Sequence, residues 1–330
     1  MGTEHISVEL GNHVKADGFN GCAYVARNGE ILLSSGYGYS VFDHKVENAV
    51  DTKFRIGSIT KPFTSFTIML LEKKAALNTH DPIKKYINDI PVHWDGITIH
   101  HLLTHTSGLM HPWDLDSFSA TSMTHVTLDE VIESFKNKSI LFSPGEGFQY
   151  SGLGYFILAK IIETISHQSY EEVLKELIFQ PMNMKNTGCD DYRKVLNKRA
   201  FGYVVDHEEI RHDNHIFMPI LTGGGNLYST VEDLANFDIG LNTHSFLSEA
   251  GYKKMYTSEK NNYACGWRVI NRNGKIEISH SGGVPGFNAY FLRIPTKKIC
   301  IVTLSNLNRG NSGKNAVQLA DDLLEIVARH

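Results

Sequence analysis

Cysteine and proline are scarce in this 330-residue chain, with 4 and 9 copies, and neither sign of charge dominates. The four cysteines, Cys22, Cys189, Cys265 and Cys300, lie far apart with no CxxC pair, which excludes a zinc knuckle and a stapled small scaffold. Their apolar or turn surroundings favour free, buried thiols over disulfides. Lys plus Arg number 32 against 36 Asp plus Glu, a net charge of −4 at pH 7, so the basic footprint of a nucleic-acid binder is missing. No apolar run reaches the roughly 18 residues that a membrane-spanning helix needs. Residues 1–19 lack the basic-then-apolar pattern of a secretory leader. Met1-Gly2 opens like a myristoylation site, but Ile6 stands where Ser or Thr is required. The compartment therefore stays open. What is present, 42% hydrophobic and 21% charged residues, is the composition of a globular protein, and the length fits about two domains.

Asn-Gly pairs mark two hairpins. Residues 21–39 read as strand, Asn28-Gly29 turn, strand, and residues 267–280 repeat the pattern around Asn273-Gly274, because this dipeptide tolerates the positive φ of a type I′ turn. A further strand pair, 288–294 and 299–305, flanks Pro295-Thr296-Lys297-Lys298. Residues 314–328 predict a helix with Val317, Ala320, Leu324 and Val327 on one face. The middle of the chain is mostly helical. Thr127 with Glu130 and Ser169 with Glu172 form capping boxes, and Tyr155, Leu158, Ile161, Ile162 and Ile165 recur at helical spacing. Strands at both ends with helices between them predict an α+β fold: an antiparallel sheet built from both termini, flanked by helices, with an inserted helical domain. The expected division is a sheet domain of residues 1–75 plus 255–330 and an inserted domain of residues 76–254, with the site at their interface.

Motif absences narrow the chemistry. There is no GxxxxGK[ST], no GxGxxG after a strand, no HExxH and no GxSxG. His101 and His105 stand four apart among 17 histidines, but their segment offers no acidic third ligand, so a structural role is expected and no metal or other cofactor is assigned. Gly223-Gly224-Gly225 reads as a tight turn, since no Lys-Ser/Thr follows to make a phosphate cradle. What remains is Phe54-Arg55-Ile56-Gly57-Ser58-Ile59-Thr60-Lys61, a break between a short strand and a helix running through Phe63, Phe66 and Leu70. Pro62 is tolerated in the first helical turn, where backbone donors are unpaired anyway. Lys61 lies one turn from Ser58 on the same face, and an amine held in a partly dry cleft can lose its proton and activate that hydroxyl. Taken alone, the pair reads equally as an N-cap serine followed by a solvated lysine.

Two later segments stand with it: Tyr150-Ser151-Gly152 and His280-Ser281-Gly282-Gly283, the second between two expected strands. With Ser58-Lys61 they occur in the order SxxK, Tyr-x-x, HxG, and here the chain resembles the serine penicillin-binding proteins and class C β-lactamases. That superfamily also holds D-peptidases and family VIII carboxylesterases. His105-Thr106-Ser107-Gly108-Leu109, Pro181-Met182-Asn183-Met184 and residues 224–234 resemble its recurrent connecting stretches, and the likeness runs from about residue 20 to the C-terminus.

The resemblance implies an acylated Ser58, with Lys61 keeping the Ser58 proton mobile and Tyr150 passing it to the leaving group. It further implies an oxyanion hole from the backbone N–H groups of Ser58 and Gly283. His280, Ser281, Gly282 and Gly152 fall at substrate-binding positions. A phenol serves as a proton carrier if nearby cations bring its pKa down, and Lys61 and His280 are the expected cations. Gly152 departs from the family's YxN pattern, where an Asn carboxamide binds the substrate amide, so efficient β-lactam hydrolysis is not implied. The function expected is a serine acyl hydrolase on esters or D-amino-acid-containing peptides, acylated by β-lactams. The alternatives are an acyl transferase and a slow penicillin-binding or sensor protein. Partners are small ester or peptide substrates, with no nucleic acid.

Overall fold

A computed structural model of the chain describes residues 3–272, 274–310 and 314–330. Met1 and Gly2, and the Asn273 half of the second Asn-Gly turn, lie outside the described residues. Two strands from the N-terminal part, β1 (Gly21–Arg27) and β2 (Glu30–Tyr37), join four from the C-terminal part. These are β3 (Arg268–Arg272), β4 (Lys275–Val284), β5 (Phe287–Ile294) and β6 (Ile299–Ser305). They form one six-stranded sheet in the order β3-β4-β5-β6-β1-β2, each neighbouring pair antiparallel. The sheet is thus made from both ends of the chain, as the sequence predicts. Asn28 and Gly29 take φ of 55° and 81°, the two positive values that a type I′ hairpin demands.

Alternation along the strands feeds two cores. Ala23 and Val25 of β1, Leu292 of β5 and Ile301 of β6 face a pair of terminal helices, α1 (Thr3–Ala16) and α5 (Ala316–Arg329). Cys22 and Tyr24 of β1, Phe291 of β5 and Val302 of β6 face the other way, into the larger core with Phe63, Phe66, Phe237 and Trp267. That second layer contains α2 (Thr60–Lys73), α3 (Leu128–Phe135) and α4 (Gly152–Ser166). The capping boxes at Thr127 and Ser169 are both formed. All four cysteines are free, with Cys189 less deeply placed than the other three.

Two local expectations change. The buried stripe of α5 is Ala316, Leu319, Ala320, Leu323, Ile326 and Val327; Val317 and Leu324 are only half-buried, so the apolar face is rotated by about one position. Helix α1 was not among the expected elements. Its Ile6, Leu10 and Val14 recur every fourth residue and are buried against the sheet.

The site is positioned by one mismatch of strand length. β3 pairs with β4 only up to Ser279, so His280–Val284 run past it as an open edge. The 3-10 turn Gly57–Ile59, just before α2, packs on that edge. Contact is so close that a Cβ at Gly282 would lie 1.9 Å from the Ile56 carbonyl oxygen, and Gly57, at φ 50°, would put one 2.7 Å from the Gly283 nitrogen. Glycine at these positions brings the two backbones together.

Candidate active site

Ser58 sits in that 3-10 turn, half-buried, and Lys61 follows in the first turn of α2. Lys61 is 2% exposed, with no carboxylate partner among the described residues. Its Nζ donates to Ser58 Oγ at 3.0 Å and to the Gly224 carbonyl at 2.7 Å. Burial without a counter-charge lowers the amine's pKa from the usual 10.5 to about 7. An amine so poised at neutral pH can take the proton of the hydroxyl it touches.

The Gly223-Gly224-Gly225 turn is therefore more than a chain reversal. Gly223, at φ 81°, accepts from Thr64 Oγ1 through its carbonyl at 2.6 Å, and a Cβ there would strike the Tyr155 backbone at 2.4 Å. The turn presses carbonyls onto α2, and one of them anchors the lysine.

Tyr150 arrives from the segment just before α4. Its ring centroid lies 4.9 Å from Lys61 Nζ, 4.3 Å from the His105 ring and 6.4 Å from the His280 ring. Here the structure corrects the electrostatic expectation. Burial pushes the Tyr150 phenol up from its ordinary value, and a hydrogen bond with Ser58 offsets this only in part. The expected cations do not lower it, because burial has reduced their own charge. His280 is lowered to about 3, first by burial and then by Lys61. Tyr150 is thus a proton donor in the free protein.

His280 is buried on the open edge of β4. Its Nδ1 lies 2.6 Å from the Ser281 carbonyl oxygen and its Nε2 2.9 Å from the Tyr263 hydroxyl. A carbonyl only accepts, so the neutral ring carries its proton on Nδ1 and Nε2 accepts from Tyr263. In this state no His280 N–H remains for a substrate carboxylate. Ser281 and Gly283 are exposed along the same edge, and Gly282 is buried beneath the Ile56 carbonyl.

Two clefts meet at Ser58 and Gly283. One, of about 450 Å³, is lined by Lys61, Gly152 and the apolar Pro112, Trp113, Phe156 and Phe287. The other, of about 330 Å³, is more polar and includes Tyr150, Tyr263, Arg268, His280 and Ser281. Gly152, the first residue of α4, opens onto the larger cleft. A Cβ there would stand 3.5 Å from Pro112 Cδ, an ordinary contact.

His101 and His105 do not make a metal pair. His101 Nδ1 accepts from the Thr98 N–H at 3.2 Å, closing a capping box, and His105 is buried among tyrosines. Among the described residues the one cluster with metal-ligand geometry is His13, Asp17 and Asp322, where Lys314 already pairs with both carboxylates. No spacing or motif points to Tyr263, which meets His280 only through the fold. His105 was visible, but as a candidate ligand.

A family model described as Beta-lactamase matches residues 11–325. Penicillin-binding protein 4* of Bacillus subtilis (strain 168) is 31% identical over 323 residues, covering 91% of this chain and 70% of its own length. The solved structure of an octameric penicillin-binding protein homologue from Pyrococcus abyssi superposes with a TM-score of 0.84 at 27% identity, over 100% of this chain and 78% of that one. D-amino acid amidase from Ochrobactrum anthropi SV3 shares the fold, with a TM-score of 0.82 at 22% identity over 98% of this chain and 97% of its own. No described helix is long and apolar enough to cross a membrane. A match running through nearly the whole length, on a fold shared just as fully, leaves one conclusion: the chain belongs to the beta-lactamase family.

Proposed function

We propose that this protein is a serine acyl hydrolase that works through an acyl-enzyme at Ser58, on esters or D-amino-acid-containing peptides, and that β-lactams acylate it. The observation that carries the reading is the buried Lys61 amine, near neutrality and 3.0 Å from Ser58 Oγ. The reaction site lies between a sheet domain of residues 1–75 and 255–330 and an inserted helical domain of residues 76–254.

In acylation, Lys61 Nζ takes the Ser58 proton as Oγ attacks the substrate carbonyl carbon. The oxyanion of the tetrahedral intermediate is held by the backbone N–H groups of Ser58 and Gly283, an effect of about 3 kcal/mol per donor in enzymes of this kind of chemistry. Tyr150, kept protonated by burial, gives its proton to the leaving group and regains one from the Lys61 ammonium. Water then attacks the acyl carbon as neutral Lys61 takes its proton, and Lys61 passes that proton to Ser58 Oγ as the acyl–oxygen bond breaks and the acid leaves. His280, Ser281 and Gly283 border the substrate along the strand edge, while Gly282, expected there from the sequence, is buried beneath the Ile56 carbonyl and instead brings the two backbones together. Gly152 supplies no carboxamide for a substrate amide, which favours esters, whose leaving groups need less help. No cofactor takes part.

The test is Ser58→Ala. A fluorescent penicillin or fluorophosphonate should label the wild type and not the variant, with p-nitrophenyl ester turnover lost and the thermal transition retained. Labelling that persists in the folded variant removes Ser58 from the nucleophile role.

A further inference from the structure

The mechanism leaves one deeply buried imidazole unused. His105 is 1% exposed and sits at φ 59°, a left-handed conformation uncommon outside Gly, Asn, Asp and His. Its two outward hydrogen bonds go to the residues on either side of Tyr150. The Gln149 N–H donates to the His105 carbonyl at 2.9 Å, and the Ser151 N–H donates to His105 Nδ1 at 3.1 Å. Between those two anchors the imidazole packs on the Tyr150 ring, centroids 4.3 Å apart, and on Tyr263 at 4.6 Å. His105 thus holds segment 149–151 by backbone, side chain and ring, alongside the Ser151 hydroxyl that donates to the Met110 carbonyl at 2.8 Å and the His111 ring stacked on Tyr150.

The tautomer follows from the same contacts. Nδ1 receives an N–H, so the neutral ring carries its proton on Nε2, and Nε2 has no hydrogen-bond partner although it is buried. An unpaired buried donor is costly, as is a left-handed non-glycine residue. Both penalties fall on a residue whose carbonyl and Nδ1 serve the chain around Tyr150, while its own N–H donates to the Leu102 carbonyl at 3.5 Å. Burial and the nearby Lys61 keep the ring neutral, which preserves Nδ1 as an acceptor.

We propose that His105 is the positioning residue of Tyr150: by clamping Gln149 and Ser151 and packing, tilted, against the phenol ring, it fixes the hydroxyl over Ser58 and Lys61. This rests on the acid–base role of Tyr150 given above. His105 touches no substrate, so its effect belongs in kcat and acylation rate rather than in KM.

The test uses the full chain with His105→Gly and His105→Asn, each alone and combined with Tyr150→Phe. Both replacements tolerate the positive φ, but only Asn restores an acceptor, Oδ1, at the place of Nδ1. With folding verified by thermal melts, His105→Gly should lower kcat for a p-nitrophenyl ester about 10- to 100-fold, part of what a general acid–base group contributes, with KM changed less than about threefold. His105→Asn should recover most of that loss. In the Tyr150→Phe background His105→Gly should cost less than about threefold, since a residue acting through another loses its effect once that one is gone. Equal activities for the Gly and Asn variants, or the same loss in both backgrounds, overturn the positioning role while leaving Tyr150 in place. A fully active Tyr150→Phe instead overturns the acid–base reading, and the role of His105 with it.

Discussion

Replacing Lys61 by Met should destroy activity and stabilise the fold at acid pH. The amine is buried without a counter-charge, and its pKa falls from 10.5 to about 7. At about 1.4 kcal/mol per pH unit, carrying the ammonium form inside costs on the order of 5 kcal/mol. Below about pH 7 both folded and unfolded chains hold the proton, and the cost is complete. Between about 7 and 10.5 the unfolded chain binds more protons than the folded one, so wild-type stability rises with pH; above 10.5 the penalty is gone. Methionine has a similar unbranched shape and no charge. It also abandons the Gly224 carbonyl and Ser58 Oγ, a loss of about 2 kcal/mol. The net gain at pH 6 is then about 3 kcal/mol, or roughly 4 °C in Tm for a chain of this size. Titrations common to both proteins cancel in the difference, so the advantage should vanish near pH 9, by about 1.4 kcal/mol per unit, and reverse above it. Thermal melts of the two proteins from pH 6 to 10, with ester turnover measured in parallel, test this. A variant less stable than wild type at pH 6, or a difference flat in pH, refutes the buried-amine reasoning.

Two further outcomes bear on the site. Gly152→Asn should fold normally, because a Cβ there makes only ordinary contact with Pro112; it should raise D-peptide or nitrocefin turnover relative to ester turnover by up to about tenfold if the added hydrogen bond contributes about 1 kcal/mol. Equal loss of every activity, read as kcat/KM for one ester and one peptide, would show that the cleft needs the empty space. Exhaustive EDTA treatment should leave ester turnover unchanged; loss that zinc restores would contradict a mechanism carried by Ser58, Lys61 and Tyr150 alone.

Local signals in the sequence carried far where the physics is local. Asn28-Gly29 set a hairpin, Thr127 and Ser169 capped helices, and the SxxK spacing placed an amine beside a hydroxyl. Helix α1 is legible in the spacing of Ile6, Leu10 and Val14, a signal separate from the leader pattern that residues 1–19 lack. The protonation states were a different matter. A lysine and a histidine look like cations on paper, but burial disfavours the charged form of both, as it does for the Tyr150 phenol. Tyr263 reaches His280 and the Gly224 carbonyl reaches Lys61 through tertiary folding, which no spacing rule encodes.

The sheet that joins both ends of the chain also sets an order of events during synthesis. β1 pairs with β6 from Gly21↔Ser305 to Arg27↔Ile299, at the centre of the sheet. Until residues 299–305 leave the ribosome, the N-terminal hairpin exposes an unpaired edge of Gly-Cys-Ala-Tyr-Val-Ala, and α1 has no partner helix beside it. Such long-range closure is slow, and an open apolar edge invites pairing with other chains. Gly283, which packs against the Gly57–Ile59 turn, belongs to the same late-arriving segment, so Ser58 emerges early and waits for most of the protein before its surroundings exist. Activity should therefore appear only after the sheet has closed, which makes ester turnover a readout of the last folding step.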